Sequence, residues 1–172
     1  MFTASTDEKI TEPVNLEGLK AYLSLREEDG VEDSYLNQLI MTARSRLEEY
    51  LETVIAVRSF ELEFDSGYWH ELYRPLTSVD LITYKDPSDV EHEIEDYETV
   101  VGNKAIVGFE IPEDLKEGTS VKVAFTSGME ECPTSIVLGI KMMCKEMYSR
   151  SGLDPLTDDV KKIVQSEVIY DL

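Results

Sequence analysis

The stretch SYLNQLIMTARSRLEEYLETVIAVRSFELEFD, residues 34–65, changes its hydrophobic period part-way along, and that change decides the fold class. Leu36, Leu39, Ile40, Ala43, Leu47, Tyr50, Leu51 and Val54 recur at steps of three and four, which puts them on one face of a helix. Ser34 is the expected N-cap, and Arg44, Glu48, Glu49 and Glu52 fall off the apolar stripe. From Val57 the step becomes two. Phe60, Leu62 and Phe64 alternate with Ser59, Glu61, Glu63 and Asp65, as a strand with one buried face requires. A long helix followed by strands predicts an α+β fold.

Working outward toward the start, Pro13 and Asn15 stop and cap a first short helix over Leu16–Leu25, with Leu16, Leu19, Leu23 and Tyr22 on one side. An acidic loop around Gly30 joins the two helices. Residues 1–14 are polar and aperiodic, have neither a basic start nor an apolar run, and read as a flexible N-terminus rather than a secretory signal.

Toward the other end, Asp65-Ser66-Gly67 reads as a hairpin turn. Further strands are predicted at Tyr68–Arg74, Val79–Lys85, Glu91–Val101, Lys104–Ile111 and Ser120–Thr126, separated by Pro75, Asp86-Pro87, Gly102-Asn103 and Pro112–Gly118. They make one small antiparallel β unit over residues 57–128. Helix returns over 133–150, with Pro133 at its first position. Ile136, Val137, Ile140, Met143, Cys144, Met147 and Tyr148 cover more than one face of it, with Leu138 and Met142 near the other side. A helix so widely apolar is either centrally buried or shared with neighbouring subunits. Ser151-Gly152 closes it, and residues 153–172 form a separate arm with a weak repeat at Leu156, Val160, Ile163 and Val164. The expected organisation is a single domain of 172 residues. The helical pair over 15–56 and the C-terminal helix form a bundle, and the β unit is inserted between them.

Composition narrows the function. Thirty-six acidic against 16 basic side chains give a net charge of −20. That charge repels nucleic-acid phosphates and anionic membranes within a Debye length, about 8 Å at physiological salt. Tight, direct DNA binding is therefore not expected, although a wall that DNA cannot stick to suits a conduit. No run of eighteen apolar residues occurs, so no span of a bilayer is expected. There is no GxGxxG and no GxxxxGK[ST]. His70 and His92 lie in different predicted strands without ligand spacing, and Asp86-Pro87-Ser88-Asp89 reads as a turn rather than a calcium loop. Glu27-Glu28-Asp29, Glu93-Glu95-Asp96 and Glu130-Glu131 read as solvated carboxylates, not a glycosidase pair. Cys132 and Cys144, twelve apart, fit neither a redox pair nor a zinc knuckle and are expected as reduced thiols. There is no GxSxG elbow. No catalytic, metal or cofactor residues are expected.

Several segments read in order carry a resemblance. The opening helix Leu16-Glu17-Gly18-Leu19-Lys20-Ala21-Tyr22-Leu23 precedes the acidic loop Glu27-Glu28-Asp29. The long helix then runs from Tyr35-Leu36 through Ala43-Arg44 to Glu48-Glu49-Tyr50-Leu51. Arg58-Ser59-Phe60-Glu61-Leu62, Arg74-Pro75-Leu76-Thr77-Ser78-Val79, Ile82-Thr83-Tyr84-Lys85-Asp86 and Val121-Lys122-Val123-Ala124-Phe125-Thr126-Ser127-Gly128 follow. Met147-Tyr148-Ser149-Arg150 and Asp158-Asp159-Val160-Lys161-Lys162-Ile163-Val164 close the series. This succession resembles the head-tail connector (adaptor, head completion) proteins of tailed bacteriophages, prophages and gene transfer agents. The arm departs from the family pattern in lacking an arginine near Val168–Tyr170, and the first fifteen residues match nothing in it.

The resemblance implies a non-enzymatic virion protein, made in the host cytoplasm, that forms a ring, dodecameric in the virion, at the neck. Its partners would be the portal protein above, a stopper or tail-completion protein below, and its own copies, with DNA only as passing cargo and no membrane. It further implies a portal-binding arm at Leu153, Leu156, Val160, Ile163, Val164 and Tyr170. Glu48, Glu49 and Glu52 are the candidates for acidic residues facing the channel. The alternative is a cytosolic protein- or sugar-binding module whose β-sheet surface presents Tyr68, Trp69 and Tyr73.

Overall fold

The long amphipathic segment forms helix α2, Asp33–Leu51, and buries Leu36, Leu39, Ile40, Ala43, Leu47 and Leu51, which is the expected stripe. Tyr50 instead lies on the exposed side. The computed structural model describes residues 3–4, 10–26, 29–65, 69–86, 88–101, 105–109, 120–149 and 154–167. Helix α1 spans Leu16–Leu23, capped as expected by Asn15, whose Oδ1 accepts from the Gly18 amide at 2.7 Å. It ends at Ser24, which takes the left-handed conformation. Helix α2 starts one residue before the predicted cap. Glu32 occupies the cap position without a side-chain cap bond, and the Ser34 hydroxyl donates to the Glu32 carboxylate at 3.3 Å.

Two compact units emerge, one from Met1–Ile10 with Ala56–Met129, the other from Thr11–Ile55 with Glu130–Leu172. The helical unit packs α2 against α3, Thr134–Ser149, which buries Ile136, Gly139, Ile140, Met143 and Cys144. A fourth helix, α4, Asp158–Val164, continues as a 3-10 turn over Gln165–Glu167.

Among the described residues the strand unit contains eight strands: β1 Thr3–Ala4, β2 Arg58–Asp65, β3 Trp69–Leu72, β4 Leu76–Lys85, β5 Glu91–Glu93, β6 Tyr97–Val101, β7 Ala105–Phe109 and β8 Ser120–Ser127. They divide into a five-stranded sheet of order β1-β2-β8-β4-β5 and a three-stranded sheet of order β3-β7-β6, with every pairing antiparallel. This corrects the expectation of one sheet unit. The segment read as a single strand from Glu91 to Val101 is two, one in each sheet. The turn expected at Asp65-Ser66-Gly67 lies largely outside the described residues, and among those described β2 and β3 fall in different sheets. Instead β2 takes β8 along all eight residues, from Arg58↔Ser127 to Asp65↔Ser120. The reason is burial. Strand β8 alternates perfectly, with Val121, Val123, Phe125 and Ser127 buried, and its apolar row takes the Phe60 and Leu62 row of β2 on one side and Ile82 of β4 on the other. Phe60 stacks on Phe125 with ring centroids 5.4 Å apart.

Gly128 closes β8 at φ 141°, where a Cβ would lie 2.4 Å from Val57 Cα, so only glycine fits. Its amide donates to the Pro75 carbonyl at 2.9 Å.

Candidate assembly surfaces

The C-terminal helix is the first residue set that the resemblance marks. Thr157 caps α4, accepting from the Val160 amide at 3.4 Å, and Asp154 accepts from the Leu156 amide at 3.1 Å. Two acidic residues open the helix and two lysines close it, each favourable against the helix dipole. Val160 and Val164 are fully buried. They meet α3 at Gly139, whose missing side chain leaves room for Val164 Cγ1 2.9 Å from where a Cβ would sit. Glu167 accepts from the Ser135 hydroxyl at 2.8 Å and ties the following turn to the start of α3.

Two expectations are thereby corrected. The segment carrying α4 is not a detached tail, and Val160 and Val164 face this chain's own core instead of a partner. Part of the broad apolarity of α3 has the same cause, because α2 and α4 pack on it, with Leu47 and Val160 both near Gly139, while Leu138 and Tyr148 stay exposed. Leu156 and Ile163 are half-buried and keep surface available. Leu153 and Tyr170 lie outside the described residues.

The acidic set divides as well. Arg44, off the apolar stripe, is nonetheless buried, with a side chain only 5 % exposed. Its Nε donates to Glu12 at 2.8 Å and its Nη1 to Glu48 at 2.7 Å. The other Glu48 oxygen accepts from the Ile55 amide at 2.8 Å. A buried guanidinium needs paired acceptors, and Glu48 supplies one while capping the chain after α2. Glu48 is therefore corrected from a channel-facing candidate to an internal structural carboxylate. Glu49 and Glu52 are exposed, and Glu49 faces Arg46 at 3.3 Å.

In the strand unit, Tyr73 packs one side against the Phe60 and Phe125 rings at 4.8 and 6.1 Å and keeps 37 % of its surface exposed. Tyr68 and the Trp69 side chain lie outside the described residues. The Asp86 turn is as expected. The Asp86 Oδ1 accepts from the Ser88 and Val90 amides at 2.8 and 3.0 Å, and its Oδ2 meets His92 Nε2 at 3.0 Å. The bond from His92, then those from Val90 and Ser88, hold the Asp86 carboxyl below the ordinary carboxylate range. A cleft of about 260 Å³ is lined by Glu63, Thr83, Lys85, Glu91 and Lys122; the Thr83 hydroxyl donates to Glu91 at 2.9 Å, and Lys85 reaches out of it to Asp89 at 2.8 Å.

Among the described residues no group of three His, Cys, Asp or Glu is placed to hold a metal, and no helix is long and apolar enough to cross a membrane. Both cysteines are free thiols. Burial pushes Cys132 up to about 11 and Cys144 up to about 12, which opposes thiolate chemistry at neutral pH.

An α+β chain of this element order has the fold of subunits found in the neck of phage-like particles. In particular, it superposes on a chain of the neck of an empty gene transfer agent particle computed with C6 symmetry, with a TM-score of 0.78, 17 % identity, and coverage of 100 % of this chain and 97 % of that one. A chain in the virion of a native gene transfer agent particle gives the same values. A further chain, from the native neck computed with C12 symmetry, superposes with a TM-score of 0.60 at 16 % identity, covering 96 % of this chain and 97 % of that one. At such identities the likeness defines the fold. No protein-family model and no curated protein matches the sequence.

Proposed function

We propose that this chain is a non-enzymatic structural subunit of a virion neck. It forms a ring between the capsid portal and the stopper or tail proteins and extends the channel through which DNA passes. The observation that carries this reading is the likeness over the whole length, 100 % of this chain and 97 % of the other, to a chain of a gene transfer agent neck. Closed rotational symmetry in those necks, C6 and C12, supports a ring, which we propose to be dodecameric.

In this reading the segment from Leu153 to Tyr170 meets the portal through Leu156 and Ile163, while Val160 and Val164 anchor it internally. Glu49 and Glu52 are the acidic residues that face the DNA channel, where a net charge of −20 keeps the polymer from adhering. Coexpression with the portal protein of the same particle, followed by size-exclusion chromatography, tests the reading. The chain should co-elute with the portal ring, and replacing Leu156 and Ile163 with glutamate should release it. A chain that elutes alone, with its fold intact, contradicts the proposal.

A further inference from the structure

Strand β6 is the last strand of the three-stranded sheet, and its register with β7 runs from Tyr97↔Phe109 to Val101↔Ala105. Among the described residues nothing pairs with its other side. An edge strand presents a row of unpaired amides and carbonyls, and proteins blunt such edges by shortening, bulging or covering them. The five-stranded sheet does so at both ends, with β1 of two residues laid on β2 and β5 of three residues on β4, while β4 itself is irregular against β8. For β6 the register is regular over five residues.

Two apolar side chains on this edge are left uncovered. Tyr97 is 39 % exposed and Val100 is 52 % exposed. Tyr97 and Thr99 share the face on which Val107, opposite Thr99, is fully buried. That row continues into the exposed Tyr97 and Thr99, beyond which no further strand lies among the described residues, and Val100 points from the opposite face.

The charge around the edge selects what fits. Glu93, Glu95, Asp96 and Glu98 lie within six residues, and all are exposed. A second copy of the chain would bring the same carboxylates opposite one another in a molecule of net charge −20, and like charges across strands are unfavourable. We propose that the free edge of β6 is a docking site for a basic, extended segment of another protein. That segment adds as a fourth strand, lays alternate apolar side chains beside Tyr97 on one face, and sets Lys or Arg on the other face beside Val100 and Glu98, with Glu95 and Asp96 adding to the negative charge that attracts them. The proposal holds independently of the neck reading.

Hydrogen–deuterium exchange on the full chain tests it, with the blocked octapeptide RVKVRTKV as probe. Amides of residues 97–101 should gain protection with this peptide. They should gain none with its acidic counterpart EVEVETEV, nor with a version carrying proline at alternate positions. Glu95→Lys, Asp96→Lys and Glu98→Lys together should weaken binding about tenfold while leaving the far-ultraviolet circular dichroism unchanged, as reversal of three exposed charges implies. Absence of protection at β6, equal protection by the acidic peptide, or undiminished binding by the triple variant overturns the proposal. So does a dimer of the chain alone, seen by sedimentation, that protects the same amides, since the occupant would then be a second copy.

Discussion

Replacing Gly139 with alanine should change sign with the residue at position 164. Glycine in a helix interior is about 1 kcal/mol less favourable than alanine, so on propensity alone Gly139→Ala stabilises. In this chain the added Cβ would sit 2.9 Å from Val164 Cγ1, about 0.5 Å inside ordinary contact, while Leu47 Cδ2 and Val160 Cγ1 at 3.7 Å accept it. Val164 is fully buried and has no room to swing away, and overpacking of this kind costs about 1–3 kcal/mol. The net effect in the natural sequence is a destabilisation of up to about 2 kcal/mol. In a Val164→Ala background Cγ1 is gone, the clash disappears, and the same substitution should stabilise by about 1 kcal/mol. Urea denaturation followed by ellipticity at 222 nm, which reports the helical unit, measures all four corners of the cycle. Equal and stabilising effects of Gly139→Ala in both backgrounds would refute the packing of α4 on α3 and, with it, the correction of the detached arm.

Three other substitutions probe the units separately. Arg44→Ala leaves Glu12 and Glu48 without their shared cation and should cost about 3 kcal/mol in the helical transition, whereas a loss below about 1 kcal/mol would show that the pair is not internal. Gly128→Ala sets a Cβ against the Val57 backbone at positive φ and should destabilise the strand unit by on the order of 3 kcal/mol, read as loss of dispersed strand amides in a ¹H–¹⁵N spectrum. For Cys144, burial raises the folded thiol from 9.0 to about 12, so above pH 9 the unfolded chain sheds a proton that the native chain keeps. Stability conferred by the protonated thiol is therefore complete below pH 9 and falls by about 1.4 kcal/mol per pH unit above it. The gap between the natural chain and Cys144→Ala should narrow by that slope, and a gap independent of pH up to 10.5 would contradict the burial.

What the sequence disclosed is what single elements disclose. The α2 stripe from Leu36 to Leu51 and the alternation of β2 and β8 each follow from burial on one face, which a local period records. The acidic balance is equally local. Division of the strands into two sheets was not legible, because antiparallel register depends on which row meets which. Arg58 finds Ser127 sixty-nine positions away. The internal role of Arg44 was hidden for the same reason, since its partner Glu12 lies 32 positions back and an arginine alone reads as surface. Likewise Glu48 is held inward by the Arg44 guanidinium and by the Ile55 amide, which turns back toward it. The seat of α4 is a glycine, which contributes nothing to a hydrophobic pattern, so the weak repeat at Val160 and Val164 had no visible counterpart. Ser34 failed as a cap because α2 begins at Asp33, one residue ahead of it.

Native mass spectrometry of the portal protein mixed with this chain tests the central claim most directly. The account predicts a portal complex heavier by a full ring, twelve copies of a 19.6 kDa chain under the symmetry seen in the native gene transfer agent neck. A portal whose mass is unchanged in the presence of excess folded chain would contradict it.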